Sequence, residues 1–246
     1  MKSLVVALLS ILLPVVVSAA DWTAIEQALG RAGTVQPDGA YKVAFPRSDL
    51  TVTVDGVTLK PALALGGWAA FNRSGKDAMA MGDLVLLESE VTGVMDAMQK
   101  GGIEQTALHN HVLNESPRVM YMHFSAHGDA AAIARTLHDA LATTKTPLGP
   151  AAPPAPAAQL DLPTGDLDRI MGRAGKANGG VIQFAVPRAE KIMEHGMALP
   201  ASMGVATAIN FHPTGGGKAA ITGDFVLIAS EVNPVIRALR AGGIAV

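Results

Sequence analysis

Four of the chain's seven histidines fall in one stretch, TALHNHVLNESPRVMYMHFSAHGD, residues 106–129. His109 and His111 stand one residue apart, and His123 and His127 follow. Side chains of a β-strand alternate faces, so a strand through 103–113 points His109 and His111 the same way. In a second strand, Val119, Tyr121, His123 and Ser125 share one face, while Met120, Met122 and Phe124 share the other. A short connection through Asn114-Glu115-Ser116-Pro117-Arg118 that pairs Leu113 with Val119 sets His109 opposite His123 and His111 opposite Tyr121. Cross-strand neighbours lie about 5 Å apart, near enough for three imidazoles to meet at one ion. A slip of one residue would send them to opposite faces.

Three histidines on a stiff sheet, with a further coordination position open, suit zinc or another divalent transition metal. Glu115 and His127 are secondary candidates as ligands or orienting partners, with Asp129 beside them. An open position would also allow a bound water to be activated for hydrolysis. The plainer reading is a polar sheet surface, or imidazoles hydrogen-bonded beneath a helix. His127 fits a turn or helix cap ahead of Gly128-Asp129, and His138 an exposed position on an amphipathic helix. The tripeptide His109-Asn110-His111 is no nuclease signature, since that motif is a spaced constellation.

Other chemistry-bearing residues have simpler roles. Met79 with Met81, and Met120 with Met122, have the spacing for soft Cu(I), but core filling suits them better. TGGGKA at 214–219 lacks the hydroxyl and upstream glycine of a phosphate loop and reads as a turn. Asp83 and Glu90, like Asp224 and Glu231, flank a strand-to-helix transition, where negative charge is stabilising without any catalytic role. Arg47 and Arg188, each after a proline, either bind a carboxylate ligand or pair with those acids. No Ser/His/Asp elbow is present, and the chain has no cysteine, hence no thiol nucleophile and no disulfide.

The elements that must position the histidines belong to a duplicated unit. GDLVLLESEVTGVMDAMQKGGI at 82–103 returns as GDFVLIASEVNPVIRALRAGGI at 223–244, and LGRAG at 29–33 as MGRAG at 171–175. The spacing is 141 residues from Arg47 to Arg188 and 142 from Gly30 to Gly172. The Ala/Pro tract 149–159 is a semi-rigid linker, leaving domains at 21–148 and 160–246. The first repeat reads as a helix over 21–32, a strand over 40–45 and a hairpin turning at Asp55-Gly56. Strands over 62–71 and 78–88 follow, then a helix capped by Ser89 and stopped at Gly101-Gly102. Two strands, about 103–113 and 118–126, lead to a helix over 129–142. The fold class is α+β, two tandem copies with a β-α-β-β-α core. The second copy stops just after its GGI and is expected to lack the C-terminal ββα part, whether naturally or as a fragment.

The first twenty residues, MKSLVVALLSILLPVVVSAA, carry a minimal positive start, an apolar run and a small-residue cleavage site near Ala20. They predict a signal peptide, and with no lipobox cysteine a free periplasmic or secreted protein. No other segment is long and apolar enough to span a membrane. The formal charge of −2, with no basic stripe, argues against nucleic acid as partner.

DW at 21–22, LGRAG at 29–33, FPRSDLTVTVDGVTLKPALALGGWAAF at 45–71 and the TALHNH…ESPR…H segment together carry a resemblance. They resemble the bacterial family named for the mycobacterial lipoproteins LppY and LpqO, over essentially the whole chain after the signal. The resemblance implies an exported protein with two domain copies and supplies no catalytic residues. It also implies that a complete second copy would carry its own His-x-His segment. Three functions fit these residues: an exported metal-binding protein with His109, His111 and His123 as ligands, a metal-dependent hydrolase using the same cluster with Glu115 as acid or base, and a metal-free binding module for a small molecule or envelope component.

Overall fold

The computed structural model describes residues 22–74, 77–151 and 160–246; the expected signal peptide and most of the expected linker lie outside the described residues. The first repeat runs α1 (Thr23–Leu29), β1 (Thr34–Val35), β2 (Tyr41–Pro46), β3 (Thr53–Val54), β4 (Val57–Thr58), α2 (Pro61–Ala64), β5 (Gly66–Ser74) and β6 (Asp77–Leu87). After a 3-10 turn at Glu88–Glu90 come α3 (Val91–Lys100), β7 (Glu104–His109), β8 (Glu115–Ser116), β9 (Val119–Asp129) and α4 (Ala130–Ala142). The second repeat has α5 (Thr164–Met171), β10 (Lys176–Asn178), β11 (Val181–Pro187), β12 (Met193–Glu194), β13 (Met197–Ala198), β14 (Ala206–Gly215), β15 (Lys218–Asp224) and α6 (Ala229–Ala241).

The main sheet is antiparallel in the order β1-β2-β5-β6-β9-β7. β6 and β7 are joined through α3, and β9 inserts between them, giving a split β-α-β unit. This is the expected α+β core, with β9 at its centre. β6 is buried along nearly its whole length, which requires cover on both faces. On one face Phe45, Phe71, Leu84 and Phe124 pack under α1, α3 and α4 through Leu29, Val94, Met98 and Leu137. Gly82 lies on that face because a Cβ there would come within 2.4 Å of the Phe124 ring. On the other face Leu63, Leu65, Val85 and Tyr121 meet Val181, and Ala70 and Met79 meet Met203, so the second repeat covers it.

The two repeats dock reciprocally. Lys60 donates to the Gly180 carbonyl at 3.3 Å, and Gln183 donates to the Ala62 carbonyl at 2.7 Å. Asn210 and Thr222 both donate to the Leu63 carbonyl, at 3.1 and 3.0 Å. In the opposite direction Ser202, in the segment corresponding to α2, donates from its amide and hydroxyl to Asp38, each at 2.8 Å, and accepts from Lys42. Each repeat thus lays the segment after its small hairpin on the other's sheet. The second sheet has the order β10-β11-β14-β15, and its β14–β15 turn is the glycine run, with Gly215, Gly216 and Gly217 at φ of 95°, 60° and 72°.

Three expectations need correction. The run 62–71 is not one strand: Pro61 opens a single helical turn, its fixed φ suited to the first helical position, and the strand starts at Gly66. Ser89 does not cap α3; Glu90 instead accepts the Leu87 amide at 2.8 Å. The strand expected over 103–113 ends at His109, so His111 sits in the bend beyond it.

Candidate metal centre

β9 fixes the site. His123 lies directly opposite Asp83 on β6 and opposite Ala107 on β7. His109 is opposite Tyr121, two positions from the expected pairing with His123, because β7 ends at His109 and the connection to Val119 is longer than a short hairpin loop through 114–118. A shift of two preserves the face, so His109 still reaches His123 on the diagonal. Their Nε2 atoms are 3.2 Å apart. His111 comes back over the same face by stacking on Tyr121, ring centroids 3.7 Å apart and 8° from parallel, and His109 stacks on His111 at 4.9 Å. Tyr121 is anchored in turn by donating its hydroxyl to the Ala64 carbonyl at 2.6 Å.

One ligating nitrogen from each of His109, His111 and His123 lies within 4.8 Å of the others. Zinc–nitrogen bonds of about 2.0–2.1 Å in a tetrahedron put ligand nitrogens roughly 3.3 Å apart. The His109–His123 separation already has that value. His109 Nδ1 faces the Asn110 carbonyl at 3.4 Å, and a proton held there leaves Nε2 as a free lone pair.

Asp83 is the residue that sequence reasoning misassigned. It is not at a helix start but within β6, several residues ahead of the 3-10 turn, and it is 7% exposed. Its Oδ2 is 3.5 Å from His123 Nε2 and 3.6 Å from His111 Nε2. Asp224, its counterpart in the second repeat, brings Oδ2 to 4.0 Å from the same His111 nitrogen. An acid inside the apolar run AMAMGDLVLL was the available signal, because an isolated buried carboxylate demands a partner.

Burial lowers the His111 pKa, and the neighbouring Asp83 and Asp224 only partly oppose that. The hydrogen bond to Asp83 raises the His123 pKa against its own burial. His111 Nε2 and Asp83 Oδ1 are both buried without a hydrogen-bond partner. A protonated His123, shared between His109 and Asp83, would explain the other contacts as ordinary polar packing. It leaves those two atoms unsatisfied, at a cost of about 1–3 kcal/mol each. A cation among the imidazoles gives His111 Nε2 a partner beside the Asp83 carboxylate, so the residues present fit a metal.

The secondary candidates stand apart. Glu115 accepts from the Val119 amide and from Asn110, each at 3.2 Å, and burial raises its pKa. It braces the loop carrying His111. His127 is an exposed strand residue opposite Met79, not a cap; its ring lies 6.4 Å from that of His195. The cap of α4 is Asp129, which accepts the Ala132 amide at 2.7 Å. Met79 and Met122 are fully buried core residues. Arg47 pairs with Asp49 and Glu90, at 2.8 and 2.7 Å, and Arg188 pairs with Glu190 and Glu231 in the same way.

The fold and its duplication agree with a family match over two segments, residues 23–143 and 165–246, as two tandem copies require. The chain belongs to the family described as Domain of Unknown Function (DUF1259). Neither the curated proteins nor the solved structures give a match. Among the described residues no helix is long and apolar enough to cross a membrane.

Proposed function

We propose that the protein is an exported, LppY/LpqO-like binder of a divalent transition metal, held by His109, His111 and His123 of the first repeat. The observation that carries this reading is the convergence of three imidazoles from a strand, a bend and a neighbouring strand, their ligating atoms within 4.8 Å, beside buried atoms without a partner. Imidazole nitrogen suits zinc, nickel, copper(II) or iron, and zinc is the natural probe. Export rests on the leading segment, with its short apolar run and small-residue cleavage site.

Binding is favoured over hydrolysis by what surrounds the cluster. It faces the second repeat, through Asp224, and Glu115 Oε1 accepts from Asn110 and the Val119 amide within its own loop. Titration of the metal-free protein with zinc tests the reading. One site is expected, with affinity reduced more than about tenfold in His123→Ala. Equal binding by wild type and variant, or none by either, rejects it.

A further inference from the structure

The geometry points to a centre completed across the repeat boundary: Asp83 and Asp224, equivalent residues of the two copies, supply the carboxylates of a mixed imidazole–carboxylate shell, so that a divalent cation ties the second repeat to the first. This rests on the metal-binding reading of the histidines.

The duplication provides the starting point. Asp83 and Asp224 follow Gly82 and Gly223 at the same place in the repeated GD(L/F)VL segment. Asp83 is inside β6, and Asp224 closes β15, opposite Ala208. Face-to-face docking brings both carboxylates to one nitrogen, His111 Nε2, at 3.6 and 4.0 Å. Two carboxylates facing one imidazole nitrogen repel each other unless positive charge lies among them. The side chain of Asp83 is 10% exposed and its Oδ1 has no partner, so the Asp83 carboxylate is not a solvated surface acid; that of Asp224 is half exposed. Protonating one histidine places a single charge there; a divalent cation places two and engages the histidines together.

The donor set also defines the class of cation. Three imidazole nitrogens with carboxylate oxygens suit zinc, manganese, iron(II), cobalt or nickel. Soft Cu(I) is disfavoured, since the buried Met79 and Met122 are engaged in apolar cores. Outside this centre, the repeats are held by hydrogen bonds, among them those of Gln183, Asn210 and Ser202, and by the apolar contacts of Val181 and Met203. A cation bound only by the docked form stabilises docking by mass action, increasingly as its concentration exceeds the dissociation constant.

The test is Asp224→Asn, an isosteric change at a side chain 52% exposed, whose metal-free thermal midpoint should not fall below wild type, since the change relieves carboxylate repulsion. Zinc affinity and amide hydrogen exchange with and without zinc are measured on both proteins. In wild type, zinc should slow exchange in both 119–129 and 218–224. In Asp224→Asn, affinity should fall about tenfold or more, and the protection of 218–224 should vanish while that of 119–129 survives. Wild-type affinity in the variant, with protection of 218–224 unchanged, overturns the shared centre and leaves the histidine site standing. Failure of wild type to take up zinc removes the histidine site itself.

Discussion

Arg47 shows how the same side chain is worth different amounts in the two repeats. Its guanidinium is fully buried and donates to Asp49, Glu90 and the Val85 carbonyl. Burial alone would raise the Asp49 carboxyl; the guanidinium beside it prevails and holds the pKa below the usual value. Removing one partner of a buried pair strands the others, so Arg47→Met should cost about 3 kcal/mol in urea unfolding. Arg188 makes the equivalent pairs to acids whose side chains are 56% and 36% exposed. Solvent screens those pairs, so Arg188→Met should lose clearly less. Equal losses would mean that the two clusters are not distinguished by burial. The pairing of Arg47 with Glu90 and of Arg188 with Glu231 was one of two readings open from the repeated segments, but Asp49, Glu190 and the different burial of the two clusters were not legible, because burial depends on tertiary packing.

At the scale of elements, the period-2 pattern of Val119 to Ser125 placed β9 correctly, and Asp55-Gly56 identified its hairpin, with both residues at positive φ. The split β-α-β-β-α order was legible too. The register of β7 on β9 was not, since nothing in the composition of 110–118 marks where β7 stops and how long the connection to β9 is. The error was harmless to the face and decisive for the contacts: it placed His111 beyond the strand, stacked on Tyr121. Glu115 and His127 were proposed for chemical type alone. The first is drawn off by the Val119 amide and Asn110, and the second lies further along β9, opposite Met79. Asp83 was passed over because a carboxylate near a helix already had an adequate explanation in the helix dipole.

At the scale of the molecule, the proposed metal centre lies where the copies meet, which no reading of one copy reveals. Lys42 reports on that surface independently of the histidines. It lies 3.7 Å over the Trp68 ring and donates to the Ser202 carbonyl of the second repeat. Burial lowers its pKa from 10.5 to about 8, against the pull of Asp38 and Asp83. Between those two values the unfolded chain binds a proton that the folded chain does not, so this group makes stability rise with pH across that window. Below about 8 both states are protonated and the burial cost is borne in full. The difference in unfolding free energy between wild type and Lys42→Met should therefore grow in favour of wild type as pH rises from 8 to 10.5, and a pH-independent difference would contradict the buried placement. The central claim is tested most directly by elemental analysis of the protein purified without an affinity tag, beside a His109→Ala/His111→Ala variant. The account predicts close to one equivalent of a divalent transition metal in the wild type, directly or after reconstitution, and its loss in the variant. No metal in either protein after reconstitution, or equal metal in both, would contradict it.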